Sequence, residues 1–309
     1  MKRTWVAAVI FAGTLAGPTF AADMSAPNWS GGYVGANVGY QWGDQSTDVT
    51  GTGTAPALHT GGVGLPPYFL FNFAFSDSNS VRLKGVTGGG QIGYNFQLGT
   101  KWVLGFEADW QSAGQSGSNS SVDQLSAPLC IAASFGPPPS CVGTTPWSSS
   151  AATAYQAKIG WFSTARARAG FLVTDQILLY GTGGLAFGRV EVLGNSSPAS
   201  IANSVAVGAQ SITPMGTAFD VARNNVGYAV GAGVEGKLMP WLPANWSWKL
   251  EYLYLDLGYL ASGGTFNGVA SVFAGAPAFP VSTLFGAVSL NTHFTDNIVR
   301  VGLNYKFGN

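Results

Sequence analysis

From Trp102 to Gln111 the chain reads Trp-Val-Leu-Gly-Phe-Glu-Ala-Asp-Trp-Gln, with the large apolar side chains on one parity and the charges on the other. Successive residues of a strand point to opposite faces. Trp102, Leu104, Phe106, Ala108 and Trp110 therefore share one surface, and Val103, Gly105, Glu107, Asp109 and Gln111 the other. The pattern recurs about eight times along the chain. Its apolar rows end in Trp and Tyr, and its opposite rows carry Gly, Asn, Gln and charge. That is the inverse of a soluble sandwich and predicts an apolar face turned outward to lipid.

Eight segments are predicted strands: Tyr33 to Trp42, Thr87 to Leu98, Trp102 to Ser112, Lys158 to Phe171, Ile177 to Val192, Val226 to Lys237, Trp246 to Leu257 and Asn297 to Phe307. Their lengths reach the ~9–11 residues that a tilted strand needs to cross a bilayer. Roughly 30–45 residues rich in Gly, Ser, Thr, Asn and Pro follow the first, third, fifth and seventh strands, and roughly 4–8 follow the others, as expected for long extracellular loops and short periplasmic turns. The short connections are Gly99-Thr100, Thr174-Asp175-Gln176 and the turn from Pro240 to Asn245. The expected fold is all-β, an eight-stranded antiparallel up-and-down transmembrane barrel with both termini in the periplasm. From Trp102 to Trp110 is about 27 Å of strand, or about 20 Å of height at a tilt near 40°, which sets the two indoles near opposite interfaces. Tyr40 and Trp42, with Trp246, Trp248 and Tyr254, complete the expected aromatic girdle.

Composition narrows the class further. Charged residues are 9% of the chain and aromatics 13%, whereas a disordered chain is poor in aromatics. The 44 glycines suit a narrow lumen that needs small side chains. Met1-Lys2-Arg3, the apolar stretch from Trp5 to Ala16 and the small-x-small site Thr19-Phe20-Ala21 predict a secretory signal peptide over residues 1–21, leaving 22–309 as one barrel domain. Beyond it lies no apolar run of the ~20 residues that a spanning helix requires. Removing the signal takes away Lys2 and Arg3 and no acid, leaving 12 basic and 14 acidic side chains. No basic patch of the density that nucleic acid needs is present. Cys130 and Cys141 enclose Gly136-Pro137-Pro138-Pro139, and in an oxidising compartment a disulfide across this loop is expected, with two free thiols as the alternative.

Several segments together resemble the alphaproteobacterial family of small outer-membrane barrels described as outer-membrane immunogenic, opacity-like or porin-family proteins. They are Trp29-Ser-Gly-Gly-Tyr33-Val-Gly35, Gly90-Gln-Ile-Gly-Tyr94-Asn, Ala165-Arg166-Ala-Arg168-Ala-Gly170 and Tyr180-Gly-Thr-Gly-Gly-Leu-Ala-Phe-Gly188, followed by Gly227-Tyr-Ala-Val-Gly-Ala-Gly233-Val-Glu235, Leu250-Glu-Tyr-Leu-Tyr-Leu-Asp256 and Val301-Gly-Leu-Asn-Tyr-Lys-Phe307. The resemblance covers every strand and almost none of the loops. It implies a Gram-negative outer-membrane protein with a barrel like that of outer-membrane protein A, surface exposure and antigenicity, and in some relatives the binding of haem compounds. Arg300, Gly302, Tyr305 and Phe307 resemble the C-terminal signal by which the outer-membrane insertion machinery recognises its substrates, although Gly308-Asn309 follow where that signal usually ends.

The lumen parity collects Glu107, Asp109, Arg166, Arg168, Glu235, Lys249, Glu251 and Arg300, with Asn37, Gln91, Asn95, Gln97 and Asn304. An eight-stranded barrel is just wide enough inside for side chains to meet, and buried charges persist only when paired. A lumen filled by a charge network is therefore expected; a narrow porin-like diffusion channel with a charged constriction is the alternative. On the fifth strand Leu178, Tyr180 and Thr182 compete with Leu179, Leu185 and Phe187 for the lipid face, and Arg189 and Glu191 remain unassigned.

The only histidines, His59 and His293, have no Ser or Asp at a spacing that would make a nucleophile and base, so no enzyme, cofactor or metal site is expected. Aromatic clusters in long segments, Pro66 to Phe73 and Val269 to Phe285, either bind an extracellular ligand, haem-like or from a host, or fold over the barrel mouth or extend its strands. The expected partners are outer-membrane lipid and lipopolysaccharide, with the insertion machinery during biogenesis.

Overall fold

The computed structural model describes residues 28–58, 68–132, 141–198, 201–203, 210–214, 217–237, 245–272 and 279–307. The strands in chain order are β1 (Gly31–Leu58), β2 (Tyr68–Leu98), β3 (Trp102–Ala132), β4 (Cys141–Thr174), β5 (Ile177–Pro198), β6 (Ile201–Asn203), β7 (Gln210–Pro214), β8 (Thr217–Lys237), β9 (Trp246–Val272) and β10 (Phe279–Lys306). Eight of them form an antiparallel ring in the order β10-β1-β2-β3-β4-β5-β8-β9, closed by pairing of β9 with β10. The two short strands lie outside the ring, β6 on β7 and β7 on the far end of β9. The expected signal peptide lies outside the described residues, as do the side chains of Cys130 and Cys141 and of the two loop clusters.

Strand lengths require a correction. Most of what reads as long loop continues as paired strand: β1 and β2 stay in register from Gly31↔Asn95 up to Leu58↔Tyr68. The reason is visible on β2. Near the membrane Gln91 and Asn95 are buried inside while Ile92 and Phe96 are exposed outside; farther up, Val81 and Leu83 are buried inside while Arg82 and Lys84 are exposed. The wall inverts its polarity where lipid gives way to water, because apolar side chains face lipid below and the barrel interior above. On β5 the lumen face falls to the parity of Leu178 and Tyr180. Leu178, Tyr180, Ala186, Val190 and Val192 are buried, whereas Leu179, Leu185 and Phe187 face out, as do Arg189 and Glu191.

Between β8 and β9 the ladder runs from Lys237↔Ser247 to Tyr228↔Asp256. Above it, Gly258 takes a left-handed φ of 71°, and the buried Asn225 side chain donates to the carbonyls of Leu257 and Tyr259 at 3.0 Å each. These bonds satisfy backbone acceptors that would otherwise have been left open.

Candidate functional site

The interior of the barrel is layered. At the periplasmic mouth Trp29 is 3% exposed and packs with Val103, Leu172, Leu178 and Tyr180. Its amide donates to Gln97 Oε1 at 2.8 Å and its indole to the Asp175 carbonyl at 3.1 Å, so the segment entering β1 lies under the lumen.

Above this cover lie the eight charged residues named from parity. Glu107, Asp109, Arg166, Arg168, Glu235, Lys249, Glu251 and Arg300 are each at most 4% exposed. Their positions follow from strand register: Glu107 and Arg166 are cross-strand partners on β3 and β4, and Glu251 and Arg300 on β9 and β10. Arg166 Nη2 donates to Glu107 Oε1 at 2.6 Å and to Asp109 Oδ2 at 2.8 Å, and its Nη1 reaches Glu251 Oε1 across the lumen at 3.2 Å. Arg300 Nε donates to Glu251 Oε2 at 2.6 Å and Nη2 to Asp109 Oδ2 at 2.9 Å. Lys249 Nζ lies 3.0 and 3.1 Å from the two Glu107 oxygens. Arg168 pairs with Glu235 at 2.7 Å and stacks over the Tyr180 ring at 4.0 Å. Four cations and four carboxylates thus neutralise one another within one cross-section, the condition under which charge survives away from water.

Of the neutral groups that complete this layer, sequence parity named Asn304 and left Tyr180 undecided, but it left out Tyr33 and Ser247. Tyr33 OH donates to Glu107 Oε2 at 2.8 Å and Tyr180 OH to Glu251 Oε1 at 3.0 Å. Ser247 Oγ and Asn304 Nδ2 both donate to Glu235 Oε1, at 2.6 and 2.9 Å. Tyr33 shares the parity of Asn37, so its inward direction was available in the pattern.

On the extracellular side of the charges an apolar cluster fills much of the interior, beside buried polar side chains that include Gln41, Gln45, Gln111, Gln115 and Asp296, the last accepting from Gln115 Nε2 at 3.0 Å. Leu83, Ile159, Phe162, Val190, Leu253, Leu255, Leu257, Leu260, Phe294 and Ile298 are all no more than 1% exposed and form one cluster. The missed signal was the run Leu253-Tyr-Leu-Asp-Leu257, whose three leucines share the parity of Glu251 and therefore the inward face.

The girdle residues point outward. Trp102 and Trp110 are 57% and 55% exposed, Tyr40 and Trp42 stack at 6.2 Å, and Trp246, Trp248 and Tyr254 are partly exposed. Of the C-terminal set, Arg300 belongs to the charge layer and Gly302 lies against the Ala36 carbonyl, whereas Tyr305 packs edge-on against Trp246 and Phe307, at 5.4 Å from each. His293 Nε2 lies 3.1 Å from Asp256 Oδ1, and its ring stacks on Tyr259 at 4.3 Å.

This chain is similar to a 31 kDa outer-membrane immunogenic protein of Brucella melitensis, 30% identical over 98% of this chain and 97% of the relative. It is also similar to a 22 kDa outer membrane protein of Rhizobium leguminosarum, 28% identical over 69% of each chain. Among solved structures, the outer membrane protein OprG of Pseudomonas aeruginosa aligns over 92% of this chain and all of its own, at 13% identity and a TM-score of 0.33. The family model for the outer membrane protein beta-barrel domain matches residues 7–307, and the chain therefore belongs to that outer-membrane β-barrel family.

Proposed function

We propose that the protein is a non-enzymatic barrel with a structural role in the outer membrane and a display role at its surface, and that its lumen passes no solute. The observation that carries this reading is the filled interior, in which eight charges of balanced sign lie between the apolar cover at the periplasmic mouth and an apolar cluster on the extracellular side. A permeating ion would have to break buried pairs and then pass a cluster of fully buried apolar side chains, steps that each cost several kcal/mol. Glycine does not open the bore either. Gly93 and Gly233 lie under the rings of Tyr33 and Tyr180, where a Cβ would stand 2.4 and 2.6 Å from ring atoms.

The display role is supported by the names of the Brucella relatives, which mark them as immunogenic. The non-enzymatic reading is supported by the same names, which describe outer-membrane immunogenic proteins and no enzyme. Arg300, Gly302, Tyr305 and Phe307 serve, in this proposal, as the recognition signal for insertion. Liposome swelling tests the closed lumen: vesicles holding the folded barrel should swell in small sugars no faster than empty vesicles. Swelling that scales with the amount of barrel would instead establish a diffusion channel.

A further inference from the structure

Residues 22–309 hold 12 Lys and Arg side chains, and the fold sorts them into three levels. Arg166, Arg168, Lys249 and Arg300 lie in the lumen. Lys101, Lys237 and Lys306 lie at the periplasmic end, the last two donating to the Asn28 carbonyl at 2.9 and 2.6 Å. The other five, Arg82, Lys84, Lys158, Arg189 and Arg223, all fall in the extracellular half, on β2, β4, β5 and β8; β9, β10 and β1 carry none there.

Within this basic sector Lys84, Ser116 and Lys158 form one register row across β2, β3 and β4. All three face outward, since their neighbours Leu83, Gln115 and Ile159 are buried in the interior. Strands lie ~4.8 Å apart, so the lysine Cα atoms straddle Ser116 at about 10 Å, a span over which two ammonium groups and a hydroxyl converge on one tetrahedral anion. Below the row, the outward positions of β3 are Gly114 and Ser112, so no large side chain stands between the lysines until Trp110.

The row's height is fixed by the girdle. Lys84 is the register partner of Trp42, and Lys158 is the next outward position beyond Trp161 across the irregularity at Gly160. This is the level at which hydrocarbon ends and headgroups begin. Arg82 and Arg189 flank the row in exposed pairs with Asp44 and Glu191, at 3.1 and 3.0 Å. Glu191 is also the register partner of Lys158. Exposed pairs of this kind hold weakly and yield to a stronger anion. Among the described residues, no carboxylate lies within ion-pair distance of Lys84 or Lys158.

We propose that Lys84, Ser116 and Lys158 bind a phosphate of the outer-leaflet glycolipid, holding lipopolysaccharide against the β2–β5 side of the barrel. The anion is matched by charge, and its position is matched by depth, because the lipid phosphates lie at the edge of the hydrocarbon layer. Two lysines at such a surface supply about 1 kcal/mol each, equivalent to roughly 30-fold in affinity together.

The test titrates the purified, folded barrel in detergent with bis-phosphorylated lipid A and with the same lipid stripped of phosphate. The readout is the midpoint of the heat-induced change in gel migration, which a ligand of the folded form raises. The phosphorylated lipid should raise it and the stripped lipid should not. Lys84→Gln with Lys158→Gln should weaken the response about 30-fold while melting like the parent without lipid, and the doubly Arg-substituted pair should retain binding. Lys101→Gln, at the opposite end, should change nothing. Four results would each overturn the assignment: equal binding of the stripped lipid, parent-like binding by the double Gln variant, the same loss from Lys101→Gln, or equal protection by inorganic phosphate.

Discussion

The ring of Tyr33 lies across Gly93, its register partner on the neighbouring strand, in the place where a side chain at position 93 would stand. Tyr180 and Gly233 repeat the arrangement on β5 and β8. Each ring can flatten against the wall only because its partner has no Cβ, and each hydroxyl then reaches a carboxylate of the charge layer, Glu107 for Tyr33 and Glu251 for Tyr180.

Gly93→Ala should therefore destabilise the barrel by about 1–3 kcal/mol, the usual cost of forcing extra volume into a packed interior. Gly90→Ala is the control, because its Cβ would meet its nearest neighbour at 3.7 Å, an ordinary contact. Urea unfolding midpoints of the two variants should separate clearly, with Gly90→Ala close to the parent.

Arg166→Ala and Arg82→Ala each remove one guanidinium, from opposite environments. Arg166 serves three carboxylates with its side chain fully buried, whereas Arg82 is 78% exposed on Asp44. Loss of Arg166 should cost about 3–5 kcal/mol, because carboxylates stay buried without their partner. Loss of Arg82 should cost at most about 1 kcal/mol. Comparable unfolding midpoints for the two would mean that the lumen charges do not hold the barrel together.

The inner ends of the strands were legible in the sequence because lipid outside and charge inside produce a strong alternation, as on β3 from Trp102 to Gln111. The upper halves were not, because the alternation there is weaker and of the opposite sense: Val81 and Leu83 turn in, Arg82 and Lys84 out. A reading that holds one polarity rule along a strand stops at the membrane surface and takes the remainder for loop. The same inversion concealed the apolar layer, whose residues come from seven different strands and meet only once the ring closes. The charge layer was easier to see, since Glu and Arg on lumen parity have no alternative partner but one another.

Phe162 and Phe294, on β4 and β10, are both fully buried in the apolar layer. Phe294→Ala should lower stability by about 3–5 kcal/mol, the range for removing a buried aromatic, in the same urea assay. It should open no conducting path by itself, because the charge layer beneath stays paired.

Trp29 provides an independent check on the periplasmic cover. Trp29→Ala should make the interior around Val103 and Leu178 accessible from below and cost about 3–5 kcal/mol if the indole packs as it does here. A thiol-reactive reagent should label a cysteine placed at Val103 in the Trp29→Ala background, while the same cysteine beneath an intact Trp29 should stay unlabelled.

Planar-bilayer recording of the refolded, signal-free barrel, with heat-modifiable gel migration confirming closure, tests the closed lumen most directly. The layered interior predicts a folded protein that stays electrically silent. Reproducible conductance steps that change when Glu107 or Arg166 is substituted would contradict it, and would make those charges the selectivity elements of a channel.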